Sequence, residues 1–248
     1  RGVHFRVIYF RPVSSISYDN LKLYEANRFH CIRQFYYSAN NRNSIDMVLA
    51  VNGIPLVALE LKNQYTGQSV EHAKLQFEQN RDPRELVFRF NTRFLVYFAV
   101  DHYDVYMTTK LAKNKTYFLP FNQGSNGPGN VGGAGNPANP EGYPTAYLWE
   151  EVLQRNQLMD IIERFMNLEV KKNILIFPRY HQLDVVKKLV ADTKKYGSGK
   201  NYLIQHSAGS GKSNSIAWLA YHLASLHNQE DEPIYSSIII VTDRTVLD

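Results

Sequence analysis

Cysteine is nearly absent: Cys31 is the single example in 248 residues. No internal disulfide can form and no cysteine zinc site can be built, so a reducing, cytoplasmic compartment fits. As a small apolar side chain, Cys31 is expected in the core. No apolar run reaches the ~20 residues that a membrane span needs, and no secretory signal is present. The chain starts at Arg1 rather than at a methionine and stops at Asp248, just after an apolar run. It reads as a piece cut from something longer. A strong excess of one charge is also missing. The net charge of +5 and the pI of about 9.1 are mildly basic, compatible with a polyanionic partner but not diagnostic of one. At 44% hydrophobic residues the chain can bury a core.

The first half is rich in β-branched and aromatic residues. Strands are predicted at 3–10, 28–37, 45–51, 56–62, 94–100 and 103–108. Asn52-Gly53 is a hairpin turn signal between two of them. A helix fits 69–80, with Ala73, Gln76, Phe77 and Asn80 on one face. Residues 122–142 hold seven of the fourteen glycines, three prolines and five asparagines. Such a segment cannot bury apolar surface, so it is expected as an exposed loop and a candidate domain boundary. Beyond it, helices fit 145–167, 180–196 and 211–227, and strands fit 201–206 and 236–242. Strand, glycine turn, helix, strand is a βαβ unit, so a parallel sheet is expected to begin here.

One strand carries an anomaly. The run Leu56 to Leu61 is apolar except for Glu60, and Lys62 follows at its end. Residues two apart on a strand share a face, so Glu60 and Lys62 point the same way. Burying either charge alone is costly. With a second acid nearby they make a Mg²⁺ site, two carboxylates for the ion and an ammonium beside the attacked phosphate. Asp46, on the preceding strand, is that acid. A tight two-residue turn at Asn52-Gly53 would pair Asp46 with Leu59 and turn it away from Glu60. The site therefore requires a bulge or a longer loop, and Pro55, which cannot donate to the ladder, makes irregular pairing plausible. The competing reading is a plain Glu–Lys pair on an edge strand.

The sequence HSAGSGKS at 206–213 lies between an apolar run and a helix, the context of a phosphate-binding loop. Gly209 and Gly211 let the backbone curl around phosphates at the positive end of a helix, with Ser210 between them as a further nucleotide-binding residue. Lys212 would reach the β- and γ-phosphates, and Ser213 would hold the Mg²⁺ of ATP. His206 replaces the usual first glycine. Upstream, Arg179 to Gln182 resembles the adenine-reading motif of superfamily 2 helicases, with Gln182 as the reader. Downstream, IIIVTDRTVLD resembles their motif Ia.

The arrangement Asp46, Glu60 and Lys62 resembles the PD-(D/E)xK nuclease signature. Taken with AKLQFEQNRDPREL, the Gly/Asn/Pro segment and its GYPTAYLWE continuation, FPRYHQ and HSAGSGKS, the chain resembles the restriction (R, motor) subunit of type I restriction-modification enzymes. The resemblance implies a mixed α/β nuclease sheet with flanking helices at 1–145 and a helical linker at 146–178. From 179 it implies the start of a RecA-like parallel α/β motor domain. It implies Mg²⁺-dependent cleavage of double-stranded DNA coupled to ATP-driven translocation, with methylation and specificity subunits as partners. Asp46 and Glu60 become metal ligands and Lys62 the catalytic lysine. Gln76 matches the glutamine of a Q-x-x-x-Y helix motif whose tyrosine position holds Asn80, and Glu25 is the available upstream acid. Ending before the Asp-Glu motif of such motors, this stretch alone is not expected to hydrolyse ATP. Two alternatives stay open: another nuclease–helicase fusion, of type III restriction or repair, and a DNA-binding motor module whose nuclease site is inert.

Overall fold

The computed structural model describes residues 6–13, 17–39 and 41–242. Residues 3–5 of the first predicted strand and residues 243–248 of the motif Ia segment lie outside them. Residues 6–10 form no strand.

A six-stranded sheet organises the first half, in the order β1 (Phe29–Tyr36), β2 (Ser44–Val51), β3 (Ile54–Leu61), β4 (Val96–Val100), β5 (Val105–Thr108) and β6 (Leu119–Pro120). All neighbours are antiparallel except β3 and β4. That parallel pair needs a crossover, which α2 (Val70–Asn80) supplies. A short helix, α1 (Tyr18–Glu25), precedes the sheet. At the β2–β3 turn Asn52 and Gly53 both take positive φ, 52° and 83°, the geometry that a tight hairpin demands.

Each face of the sheet carries its own core. On one, Val70, Ala73 and Phe77 of α2 pack with Val48, Ala58, Tyr97 and Ala99. On the other, Leu59, Phe98 and Val100 pack under a helical layer. That layer consists of α3 (Arg155–Asp160), flanked by π-helical turns at Leu148–Val152 and Ile161–Phe165. The segment read as a linker thus lays Leu148, Val152, Leu158, Ile161 and Phe165 into the same core as the sheet. It continues into an unpredicted hairpin, β7 (Asn167–Glu169) and β8 (Ile174–Ile176). The long helix α4 (Tyr180–Tyr196) adds Tyr180, Leu183 and Val186, and α5 (Lys212–Ala224) adds Trp218.

Two expectations are corrected. Cys31 is exposed, because β1 is the edge strand of the sheet and has a neighbour on one side only. Residues 201–206 and 236–242 do not form strands. A parallel strand is stable only with neighbours and covered faces, whereas Leu203, Ile239 and Val241 remain exposed. The Gly/Asn/Pro segment is exposed as expected but closes on itself. Gly124 and Ser125 donate their amides to the carbonyls of Gly135 and Gly133 at 2.8 and 3.0 Å, and Asn136 donates to Tyr103 O at 2.8 Å.

Candidate functional site

The anomaly in β3 is resolved by register. Val51 pairs with Ile54 and Ala50 with Pro55, as the tight turn dictates. The ladder then skips Leu56, and Leu49 pairs with Val57, Val48 with Ala58 and Met47 with Leu59. The skipped residue is a bulge beside Pro55, whose missing N–H leaves no ladder bond to lose. Carried one step further, the shifted register sets Asp46 opposite Glu60 instead of Leu59. The irregularity that the site required is present. A second one lies across β2, where Gln34 takes φ 50° opposite Asp46, a left-handed conformation rarely adopted by such a residue.

Glu60 is fully buried, at 0% exposure. Its partner is not Lys62 but Arg81, which follows the last turn of α2 and is 2% exposed. Arg81 donates to Glu60 Oε1 from Nε at 2.9 Å and from Nη2 at 2.5 Å. The guanidinium is itself fixed, Nη2 donating to Ser44 O at 2.6 Å and Nη1 to the Tyr37 hydroxyl at 3.1 Å. Glu60 Oε2 has no hydrogen-bond partner among the described residues. Burial raises the Glu60 pKa to about 8. Arg81 pulls it down and the nearby Asp46 carboxylate pushes it up again.

Asp46 is half-buried. Its Oδ2 accepts from Leu61 N at 2.9 Å, which ties it to the neighbouring strand, and Gln34 Nε2 stands 3.5 Å from its Oδ1. Gln34 is held in turn by the Ser44 hydroxyl, which donates to its Oε1 at 2.8 Å. Lys62 continues β3, its backbone N donating to Val100 O at 2.8 Å. Its ammonium donates to Oε1 of Gln76, which reaches over from α2. Asp46, Glu60, Lys62 and Gln76 therefore lie around one region between the β2–β3 ladder and α2. Glu25 does not join them. It ends α1, next to the Phe29/Val51 end of the ladder, five residues or about 17 Å along β2 from Asp46.

The residues fit a small divalent cation. Two acids face each other, one of them with a buried oxygen that no donor satisfies, and a cation answers that deficit. Among the described residues no group of three or more His, Cys, Asp or Glu gathers. An ion here would keep several waters, as Mg²⁺ does. Sequence reasoning missed Arg81, Tyr37 and Gln34. A signal for the first existed: a glutamate inside an apolar strand demands a counter-charge, and Arg81 is the first arginine after the crossover helix.

The second half brings its residues together differently. Gly209 and Gly211 have φ of 71° and 81°, and α5 starts immediately after them at Lys212. Lys212 Nζ folds back on the loop, donating to Ser207 O at 2.9 Å and His206 O at 3.3 Å. Ser213 is on the first turn of α5. Gln182 is buried, at 3% exposure. Its Oε1 accepts from Arg179 N at 2.9 Å, and its Nε2 donates to Gly211 O at 2.9 Å and Ser210 O at 3.2 Å. Both sides of the amide are thus used by backbone, and the side chain clasps the loop to α4. A Cβ on Gly211 would come within 2.4 Å of Gln182 Nε2. Beside the loop lies a cleft of about 870 Å³ lined by Tyr180, His181, Asp184, His206 and residues 128–132.

Comparison with known proteins finds a partial family match and several relatives. Residues 14–116 match the family described as type I restriction enzyme R protein N terminus, a range that contains Asp46, Glu60, Lys62, Gln76 and Arg81. The chain is 26% identical over 252 residues to a provisionally named type I restriction enzyme MjaVIIIP endonuclease subunit of Methanocaldococcus jannaschii, covering 95% of this chain and 22% of that protein. It is 24% identical over 236 residues to the type I restriction enzyme SauCOLORF180P endonuclease subunit of Staphylococcus aureus strain COL, covering 94% and 23%. The SauMSSORF170P subunit of strain MSSA476 matches to the same degree. The chain spans less than a quarter of the length of these relatives. Among the described residues no helix is long and apolar enough to cross a membrane.

Proposed function

We propose that the sheet carries a Mg²⁺-dependent DNA endonuclease site, a reading that the match of residues 14–116 to the family described as type I restriction enzyme R protein N terminus supports. The observation that supports it is the bulge at Leu56, whose shifted register brings Asp46 beside the buried Glu60, one oxygen of which, Oε2, has no hydrogen-bond partner among the described residues. Asp46 and Glu60 would hold the ion, which when bound supplies Lewis-acid polarisation of a phosphodiester and its attacking water. The chain's own residues do the rest. Gln76 orients the Lys62 ammonium, which neutralises charge building on the phosphate. Arg81 and the apolar flanks keep bulk water from Glu60.

One observation favours the inert-site reading: Arg81 covers one oxygen of Glu60, as a purely structural pair would. The two readings separate on Lys62→Ala in the full restriction complex. Metal-dependent nicking of plasmid DNA should fall by about a hundredfold or more. Equal nicking by both proteins defeats the nuclease reading.

The loop at 206–213 is proposed as the phosphate site of an ATP-driven DNA motor. Lys212 would exchange the His206 and Ser207 carbonyls for phosphate oxygens, and Ser213 would meet the Mg²⁺ of ATP. Gln182 would read adenine only after releasing backbone groups that it now holds. Double-stranded DNA and the methylation and specificity subunits are the proposed partners of the whole protein.

A further inference from the structure

Arg81 does more to Glu60 than balance its charge. Two donors of one guanidinium, Nε and Nη2, converge on the same oxygen, Oε1. A carboxylate oxygen has two lone-pair directions, and both are taken. Oε2 receives none. The fork cannot slide off, because Ser44 O and the Tyr37 hydroxyl hold its other edge. The side chain is buried, so water does not compete for it. The Glu60 carboxylate is therefore split into one oxygen closed by Arg81 and one left open.

The consequence concerns which cation the site accepts. Ca²⁺ gathers six to eight oxygens and gains from a carboxylate that chelates with both. Mg²⁺ and Mn²⁺ want an octahedron, one oxygen from each carboxylate and water for the remainder. We propose that Arg81 is a specificity-determining positioning residue, one that limits Glu60 to a single open oxygen and so selects small octahedral cations against Ca²⁺. The inference rests on the cation site proposed above.

The test measures binding, not cleavage. Full-length protein without nucleotide is titrated with Mn²⁺ and free Mn²⁺ is followed by electron paramagnetic resonance, then Mg²⁺ and Ca²⁺ are used as displacers. Asp46→Asn serves as the reference that subtracts the ATP site and surface binding. Arg81→Met removes the fork at similar length, and Arg81→Lys keeps the charge with a single amine in place of the fork. Loss of the positive charge should strengthen binding of every divalent ion alike, so the ratio of Ca²⁺ to Mg²⁺ affinity isolates the effect on Oε1. That ratio should rise on the order of tenfold in Arg81→Met, where Glu60 can chelate, and less in Arg81→Lys. Tyr37→Phe frees one edge of the guanidinium without removing it and should shift the ratio the same way by a smaller amount. It carries the test should Arg81→Met fail to fold. An unchanged ratio in the folded variants, with Asp46-dependent binding retained, overturns the role of Arg81 while leaving the cation site standing. Absence of any Asp46-dependent binding in the wild type removes the cation site, and this inference with it.

Discussion

Replacing His222 with phenylalanine should flatten the acid limb of the stability profile. His222 lies near the end of α5 at 5% exposure, its ring 4.8 Å from that of Phe165. Its Nε2 has no hydrogen-bond partner among the described residues. Burial, and secondarily the Arg164 charge, hold its pKa at about 4 instead of 6.5. The folded state therefore resists the proton that the unfolded state accepts. Stability from this group is intact above pH 6.5 and is lost as pH falls from 6.5 to 4. By linkage the loss is about 2 kcal/mol at pH 5 and about 3 kcal/mol below pH 4. Asp160, whose pKa burial raises to about 6 despite Arg164, works the other way: the folded state gains as pH falls through 6. The wild-type profile thus shows only the difference, whereas His222→Phe exposes one side of it. Urea unfolding of this chain at pH 7 and pH 5 is the assay. The variant should gain about 2 kcal/mol relative to wild type on going from pH 7 to pH 5. An equal effect at both values would refute the reasoning and place a protonated, solvated His222 in the folded state.

Gly211→Ala should destabilise by about 1–3 kcal/mol in the same unfolding assay, since it strains a left-handed residue and drives a Cβ against Gln182. Adding Gln182→Ala should return the steric share, and full additivity of the two would contradict the clasp. Lys212→Ala in the full-length protein should abolish ATP turnover and translocation while DNA binding persists, and retained turnover would exclude the phosphate-loop role. Asp101→Ala should lose about 3 kcal/mol, because that carboxylate accepts from Gln64, Val70 N, Tyr103 N and Asp104 N at 2.8 to 3.0 Å. Nicking should fall with it as α2, which carries Gln76, loosens; undisturbed melting would sink the idea.

What the sequence made legible was local. α4 matches its predicted span of 180–196 because its apolar residues repeat at helical spacing, and Pro178 stops the chain just before it. The five longer strands of the sheet follow from β-branched and aromatic runs, and the β2–β3 turn from Asn52-Gly53. Partnership was less legible. Residues 201–206 have the composition of a strand, yet a strand exists only where another backbone meets it, and no window of sequence contains that neighbour. The same reason hides β7 and β8, three residues each, inside a stretch read as helical linker. The Gly/Asn/Pro segment shows the opposite failure: composition gave its exposure, while its asparagine and backbone bonds could not be counted in advance.

The bulge ties these two kinds of information together. Alternation along β2 and β3 is a local property, and taken with a tight turn it puts Asp46 and Glu60 on opposite faces of the sheet. Only an unpaired residue can bring them to one face without lengthening the turn, and Pro55 marks where that residue can be tolerated. Regular pairing through Leu56 would instead leave Asp46 opposite Leu59, so the proposed site depends on the bulge. Likewise Glu60 would be a liability in a strand built only for stability. Its burial is supported by Arg81, Ser44 O and Tyr37 from three separate segments, an arrangement that a leucine would make unnecessary. The bulge at Leu56 and the left-handed Gln34 thus fall beside Asp46 and Glu60, where the proposed site needs the ladder to depart from regular alternation.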